Sequence, residues 1–256
     1  MILVIDIGNT NIVIGVYSGE ELVGSVRLST RSSLTSDEAG LLVTGFLNRM
    51  GFTVEEIGQV VIGSVVPHLT SAFEETAQQY LECEPLVVTA HVKLPVTIDI
   101  DQPDQAGADR IANAVAAYTR FGGPLIVVDF GTATTFDVVN SDGAYIGGII
   151  SAGPETSMAQ LARRAARLHE VRIEQPERVV GRDTGGALQS GLFHGTVGQV
   201  DHIIDKIIEE TDAVDPKIIA TGGLAAGFEV HSRHIRQVEP HLTLEGLRII
   251  GEMNRL

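Results

Sequence analysis

The chain opens on an apolar run, Ile2 to Ile7, broken once by Asp6 and followed by the polar turn Gly8-Asn9-Thr10-Asn11. Bounded in this way, the run reads as a buried strand. Ile12 to Tyr17 continue as a second strand, Ser18-Gly19 turn the chain back, and Glu21 to Leu28 form a third, so the pattern is a β-meander. The same plan returns farther on. Leu125 to Val128 lead into Asp129, Gly131-Thr132-Ala133-Thr134 make a polar turn, and Thr135 to Val139 run on as a strand. Asp142-Gly143 then turn it back, and Ala144 to Ile150 are the return strand. Asp6 matches Asp129 and Gly19 matches Gly143 at a nearly constant offset. Late in each half comes another apolar strand ending in small residues, Val60 to Ser64 and Ile218 to Gly223. Apolar residues at helical spacing predict helices over Asp37–Met50, Ser71–Leu81, Asp109–Phe121, Glu155–Leu168 and Thr184–Glu210.

A doubly wound dinucleotide fold would place a helix directly after the first glycine turn, whereas here a strand follows. The repeated strand-rich unit instead predicts an α/β protein of duplicated ribonuclease-H-like architecture, the plan of the actin, hexokinase and acetate kinase ATPase class, with two similar lobes around a cleft. The boundary is expected at Gly122-Gly123-Pro124, giving lobes 1–123 and 124–256.

Composition narrows the class. A 256-residue chain with 44% hydrophobic residues can bury sizeable cores. Its single cysteine, Cys83, excludes an internal disulfide framework and zinc spacings built on Cys pairs, which suits a reducing, cytoplasmic setting. The opening segment lacks the basic region and cleavage site of a signal peptide. Asp, Gly or Arg breaks every apolar run before the about 18 to 20 residues of a membrane span, so no membrane partner is expected. The eight histidines are scattered, His231 and His234 included, and no metal is assigned to them. A net charge of −15 disfavours nucleic acid as a partner. An anionic ligand must then be held by local cations and backbone amides.

Three segments offer that chemistry. In Asp6-Ile7-Gly8-Asn9-Thr10-Asn11 the glycine admits an anion close to backbone N–H groups while hydroxyl and amide side chains add donors, and Asp6 suits Mg²⁺ held against nucleotide phosphates. A tight hairpin with a capping Asp is the plainer reading of one copy. The second copy, from Asp129 to Thr135, favours the phosphate cradle, with Thr134 and Thr135 read as strand residues of high β propensity. Gly107-Ala108-Asp109-Arg110 opens a helix, where Arg110 can fork two bonds to a carboxylate or phosphate and Asp109 can accept the proton of an attacking alcohol. Asp109 as a dipole partner and Arg110 as a surface ion pair are the alternative. Thr184, after Gly181, Arg182 and Asp183, is either a substrate contact or a helix N-cap.

Taken in order, Asp6-x-Gly8-Asn9-Thr10 with Gly15, Gly107-Ala108-Asp109-Arg110, Asp129-Phe130-Gly131-Thr132-Ala133, Gly147-Gly148, Gly181 with Thr184, Thr221-Gly222-Gly223-Leu224-Ala225 and the closing Leu242-Thr243-Leu244-Glu245-Gly246-Leu247 resemble type III pantothenate kinases. The resemblance spans essentially the whole chain. It implies ATP-dependent phosphorylation of the primary hydroxyl of pantothenate to 4'-phosphopantothenate, the first step towards coenzyme A, in a cytoplasmic homodimer. It further implies that Asp6, Ile7, Gly8, Asn9, Thr10, Asn11, Ile12 and Val13 face ATP and that Thr132 contacts its phosphates. Gly107, Ala108, Asp109 and Arg110 would hold pantothenate, with Asp109 as proton acceptor. Asp129 would bind the activating K⁺ or NH₄⁺, and Thr184 would be a substrate contact at the subunit edge, with Mg²⁺ accompanying ATP. Three positions depart from the family pattern. Ile100 stands where many relatives carry a tyrosine that could bond pantothenate, and Ala152 and His169 stand where prolines are usual. A sugar kinase of the same ATPase class and a regulator retaining the fold are the competing readings.

Overall fold

The computed structural model describes residues 1–165, 168–211 and 213–255. In chain order the elements are β1 (Ile2–Ile7), β2 (Asn11–Ser18), β3 (Glu21–Ser29), α1 (Ser36–Met50), β4 (Gln59–Ser64), α2 (Pro67–Tyr80), β5 (Leu86–Val87), β6 (Thr97–Ile98) and α3 (Ala108–Phe121). There follow β7 (Leu125–Phe130), β8 (Ala133–Val139), β9 (Ala144–Ala152), α4 (Pro154–Arg164), α5 (Thr184–Thr211), β10 (Lys217–Thr221), α6 (Ala225–Phe228), β11 (Gln237–Val238) and α7 (Leu242–Met253). Among the described residues no helix is long and apolar enough to cross a membrane.

Two compact units emerge, one of Met1–Arg120 with the C-terminal stretch from His241, the other Phe121–Pro240. In the first, the strands run β3-β2-β1-β4-β5. The central β1 is antiparallel to β2 and parallel to β4, with Asp6 opposite Val13 and beside Gly63. Because β1 is covered on both faces, its sequence is a nearly continuous apolar run rather than an alternation. Leu3, Ile5 and Ile7 join Ile12, Ile14 and Val16 of β2 in a core closed by Val43 and Leu47 of α1 and by Leu69 and Phe73 of α2. A capping box between Thr35 and Glu38 starts α1 by satisfying otherwise orphaned N–H groups.

The second unit repeats the plan, with its own strands in the order β11-β10-β7-β8-β9. Here β7 is antiparallel to β8 and parallel to β10, and Asp129 lies opposite Thr135 and beside Thr221. Ile126, Val128, Phe130, Phe136 and Val138 pack against Phe193, Val200 and Ile204 of α5 and Phe228 of α6. Phe228 stacks on Phe130 at 5.0 Å and on Phe193 at 5.4 Å between ring centroids.

The structure corrects the expected division into 1–123 and 124–256 at its C-terminal end. The segment from His241 belongs with the first unit, because Leu242, Leu244, Leu247 and Ile250 of α7 are buried. Leu244 fills the space over Gly15 of β2 and Leu247 the space over Gly63 of β4. The first crossing between units falls after Arg120, at the end of α3. Two helix boundaries also differ. α2 begins at Pro67, four residues before the expected Ser71, since proline suits the first turn of a helix where no N–H bond is needed. The expected helix Glu155–Leu168 is observed as α4 ending at Arg164, and its residues Ala166 and Arg167 lie outside the described residues.

Gly246 is where α7 meets α3, and a Cβ there would overlap the Ala112 carbonyl. Backbone on both sides leaves no side chain that could move away. Gly246→Ala is therefore expected to cost about 3 kcal/mol or more of stability in chemical denaturation. Gly45, exposed on α1 with open space around it, supplies the control. Its change to alanine should stabilise by about 1 kcal/mol through helix propensity.

Candidate functional site

In open α/β sheets, ligands gather at the carboxyl ends of parallel strands. In the first unit those are the ends of β1 and β4, where Asp6 is half-buried. The turn after β1 is closed by the Gly8 N–H donating to the Asn11 carbonyl at 2.9 Å. It is pinned from the end of β3 by Thr30, whose hydroxyl donates to the Gly8 carbonyl at 2.7 Å and whose N–H donates to the Thr10 carbonyl at 2.9 Å. Asn9 and Thr10 are left exposed at the tip, with Asn11 and Val13 half-buried. Ile7 and Ile12 are wholly buried, so their side chains are closed to any ligand and only their backbone could meet one.

The Gly107–Arg110 segment comes to the same end of the same sheet. Past β4, the Val65 N–H donates to the Ile7 carbonyl at 3.0 Å, and Val65 Cγ1 lies 3.5 Å from where a Cβ on Gly107 would stand. The first turn of α3 follows, the Ile111 N–H donating to the Gly107 carbonyl at 3.0 Å. Ala108 is buried and Arg110 half-buried. Asp109 Oδ1 accepts the Arg110 N–H at 2.8 Å. Burial pushes the Asp109 carboxyl above its ordinary value, while that hydrogen bond and the Arg110 charge pull it back. A carboxylate raised by desolvation binds a proton more readily than a solvated one, as a general base must. Ile100 is half-buried just before the short turn Pro103–Gln105 that leads into Gly107.

In the second unit Asp129 ends β7 beside the turn after β10. Gly222 has φ +91°, and a Cβ there would stand 2.5 Å from Asp129 Oδ1 and 2.6 Å from the Phe130 carbonyl. Only glycine lets that turn come so close, and the space next to the carboxylate would be filled by any side chain. The Gly131 N–H closes the β7–β8 turn on the Ala133 carbonyl at 3.0 Å. Thr132 is exposed, and its carbonyl accepts from the Gly153 N–H at 3.1 Å and from the Thr156 hydroxyl at 2.6 Å at the start of α4.

Thr184 is the exposed first residue of α5 rather than its cap. Asp183 caps the helix, its Oδ1 accepting the Gly186 N–H at 2.7 Å and its carbonyl the Ala187 N–H at 3.0 Å. Thr184 lines an open depression together with Leu168, Gly181, Arg182 and Leu188. Two neighbours of Asp129 escaped the sequence reading as site residues. The proximity of Gly222 comes from a strand pairing over a long sequence separation. Thr135 has the β propensity of a plain strand residue, yet its hydroxyl donates to the buried Asp137. A charged residue in the otherwise apolar Phe136–Val139 was the available signal.

Among the described residues no three or more His, Cys, Asp or Glu side chains cluster to hold a metal. Single carboxylates at strand ends suit an ion that keeps phosphate and water ligands of its own, as Mg²⁺ does. Asp129, a carboxylate beside a turn that Gly222 keeps free of a side chain, has the ligand chemistry that would suit a further small cation.

Solved structures with this fold include the ROK hexokinase of Thermus thermophilus, at a TM-score of 0.55, 11% identity and 98% coverage of both chains. A Baf-family transcriptional activator protein of Campylobacter jejuni matches at a TM-score of 0.60, with 22% identity and 98% of both chains. These likenesses define the class, the actin- and hexokinase-like ATPase fold. Residues 2–206 match the type III pantothenate kinase family as a whole. The type III pantothenate kinase of Geobacter sulfurreducens is 46% identical over 256 residues, covering 100% of each chain. That of Geotalea daltonii is 46% identical over 255 residues, with 100% and 99% covered. The chain belongs to the type III pantothenate kinase family.

Because Asp109 titrates above 3.8 in the folded chain, its contribution to stability is full below that value and is lost as pH rises through the raised one. Asp109→Asn keeps the acceptor oxygen for Arg110 and removes the buried charge. At pH 7 it is expected to raise Tm by about 2 to 4 °C, a gain that fades near pH 3, as read by calorimetry across that range.

Proposed function

We propose that this chain phosphorylates the primary hydroxyl of pantothenate with ATP, yielding 4'-phosphopantothenate and ADP, at a site that includes the β1 turn and the Gly107–Arg110 segment. The observation that carries the reading is the placement of Asp109, desolvated and next to Arg110, at the same sheet end as the Asp6 turn. In this reading Gly8 to Asn11 cradle the phosphates with backbone N–H groups, amide and hydroxyl, and Thr132 is a further residue for phosphate contact. Arg110 forks onto the pantothenate carboxylate and so fixes the alcohol, whose proton Asp109 Oδ accepts as the oxygen attacks phosphorus. Phosphoryl transfer needs mainly positioning and charge neutralisation, which Mg²⁺ arriving with ATP and held by Asp6 supplies. Asp129 takes a K⁺ or NH₄⁺ ion. Thr184 contacts substrate at the edge of a partner subunit in a cytoplasmic homodimer, and Ile100 packs against the ligand where a tyrosine would hydrogen-bond to it.

A coupled assay with pantothenate, Mg²⁺-ATP and K⁺ tests this directly, and absence of phosphopantothenate under those conditions would sink it. Asp109→Asn should lower kcat by about a hundredfold or more while leaving the KM for pantothenate within a few-fold. The acid limb of the wild-type kcat/KM profile should lie above the ordinary aspartate range, since the base must be ionised and its pKa is raised. That limb should vanish in the variant.

A further inference from the structure

On the face of the second sheet that carries Asp129, register places two further polar residues. Asp129 pairs with Thr135 and Val127 with Asp137 across β7 and β8, and directly opposed residues share a face, as do residues two apart along a strand. Asp137 is completely buried, yet it is a carboxylate in the middle of a strand. Such a group persists only when bonded. The Tyr145 hydroxyl donates to its Oδ1 at 3.0 Å and the Thr135 hydroxyl to its Oδ2 at 3.2 Å. Each carboxylate oxygen thus has a hydroxyl donor of its own.

A hydroxyl has one proton to give and lone pairs with which to accept. Thr135 gives its proton to Asp137, so what it can offer its neighbour Asp129 is lone pairs. The fold does not demand this arrangement. At the equivalent positions of the first unit, Val13 lies opposite Asp6 and Gly15 opposite Val4, with Leu244 packed over Gly15.

From this we infer that Asp137 is a positioning residue for the cation site, holding the Thr135 hydroxyl so that an oxygen lone pair and the Asp129 carboxylate together present an acceptor-only surface. The inference rests on the reading that Asp129 takes a monovalent cation. It deepens that reading by naming what makes the surroundings of Asp129 welcome a positive charge. Asn at 137 would reverse the polarity: its NH₂ can donate to Thr135 Oγ1, which frees the threonine proton to turn towards Asp129 and occupy the acceptor.

The test uses the full chain with Mg²⁺ and a non-hydrolysable ATP analogue, so that no turnover is involved. Thermal melting is followed while KCl replaces tetramethylammonium chloride at constant ionic strength. Wild type should show a saturable rise in Tm with K⁺. Thr135→Ser should keep the half-saturating K⁺ concentration within about twofold, whereas Thr135→Val and Asp137→Asn should raise it about tenfold or abolish the response. Tyr145→Phe, which spares the Thr135–Asp137 bond, should move it by less than about threefold. A folded Asp137→Asn, or Thr135→Val where Asp137→Asn does not fold, with a wild-type half-saturation overturns the inference. So does a loss in Tyr145→Phe equal to that in Asp137→Asn, which would mark a packing effect. If wild type itself shows no K⁺ response, the cation reading falls and the inference with it. A normal wild-type response that Thr135→Val and Asp137→Asn leave unchanged removes the inference alone.

Discussion

In each unit, one central strand is bound in parallel to one neighbour and antiparallel to the other, and the chemistry gathers at its carboxyl end. The antiparallel side supplies a short turn, from β1 into β2 and from β7 into β8. The parallel side brings a second loop to the same edge, after β4 in one unit and after β10 in the other. Register then decides which side chains arrive there. Side chains alternate along a strand, so a slip of one residue in β1 would send Asp6 into the core formed with α1 and α2 and move Leu3, Ile5 and Ile7 to the opposite face. The burial of Leu3, Ile5 and Ile7 thus fixes the carboxylate as firmly as any bond to the carboxylate itself.

Charge imposes the second constraint. With a net charge of −15, the average field of the chain repels an anionic substrate, and capture depends on short-range groups. Backbone donors in glycine turns carry no counter-charge to be desolvated and are held by hydrogen bonds that leave the tip exposed. Thr30 does this for the first turn, and Thr156 with the Gly153 N–H does it for the second. The helix start at Gly107–Arg110 adds one cation next to one buried carboxylate. Burial there raises proton affinity and the Arg110 charge limits the rise, so the pair balances itself within a single turn.

The strand plan was legible because it is local: periodicity and turn residues located β1 to β3 and β7 to β9 within about two residues, and the duplication showed as matched Asp and Gly positions. The motif residues at the strand ends could be named for the same reason. What escaped depends on distant contacts. That α7 seats in the first unit follows from Gly246 meeting Ala112 and from two leucines filling the space over Gly15 and Gly63, facts about partners far apart in sequence. The role of Asp183 as the cap of α5 was hidden because Asp and Thr are both good caps, and only the bond to Gly186 separates them. Thr135 looked like a strand residue because it is one, and its bond to Asp137 adds a second role that β propensity does not reveal.

The duplication also supplies its own control on which polar residues the fold requires. A residue needed only to build the sheet should have a counterpart of similar character in the other copy. Asp6 and Asp129 do, as do the turns that follow them. The pair Thr135 and Asp137 does not: Val13 and Gly15 hold those places in the first unit, and the apolar packing of Leu244 completes that face. Burying a charged carboxylate is costly even when bonded, and apolar residues fill the equivalent space in the same molecule without it. The polarity of the second copy is therefore better explained by the proposed cation at Asp129 than by what β8 must pack against.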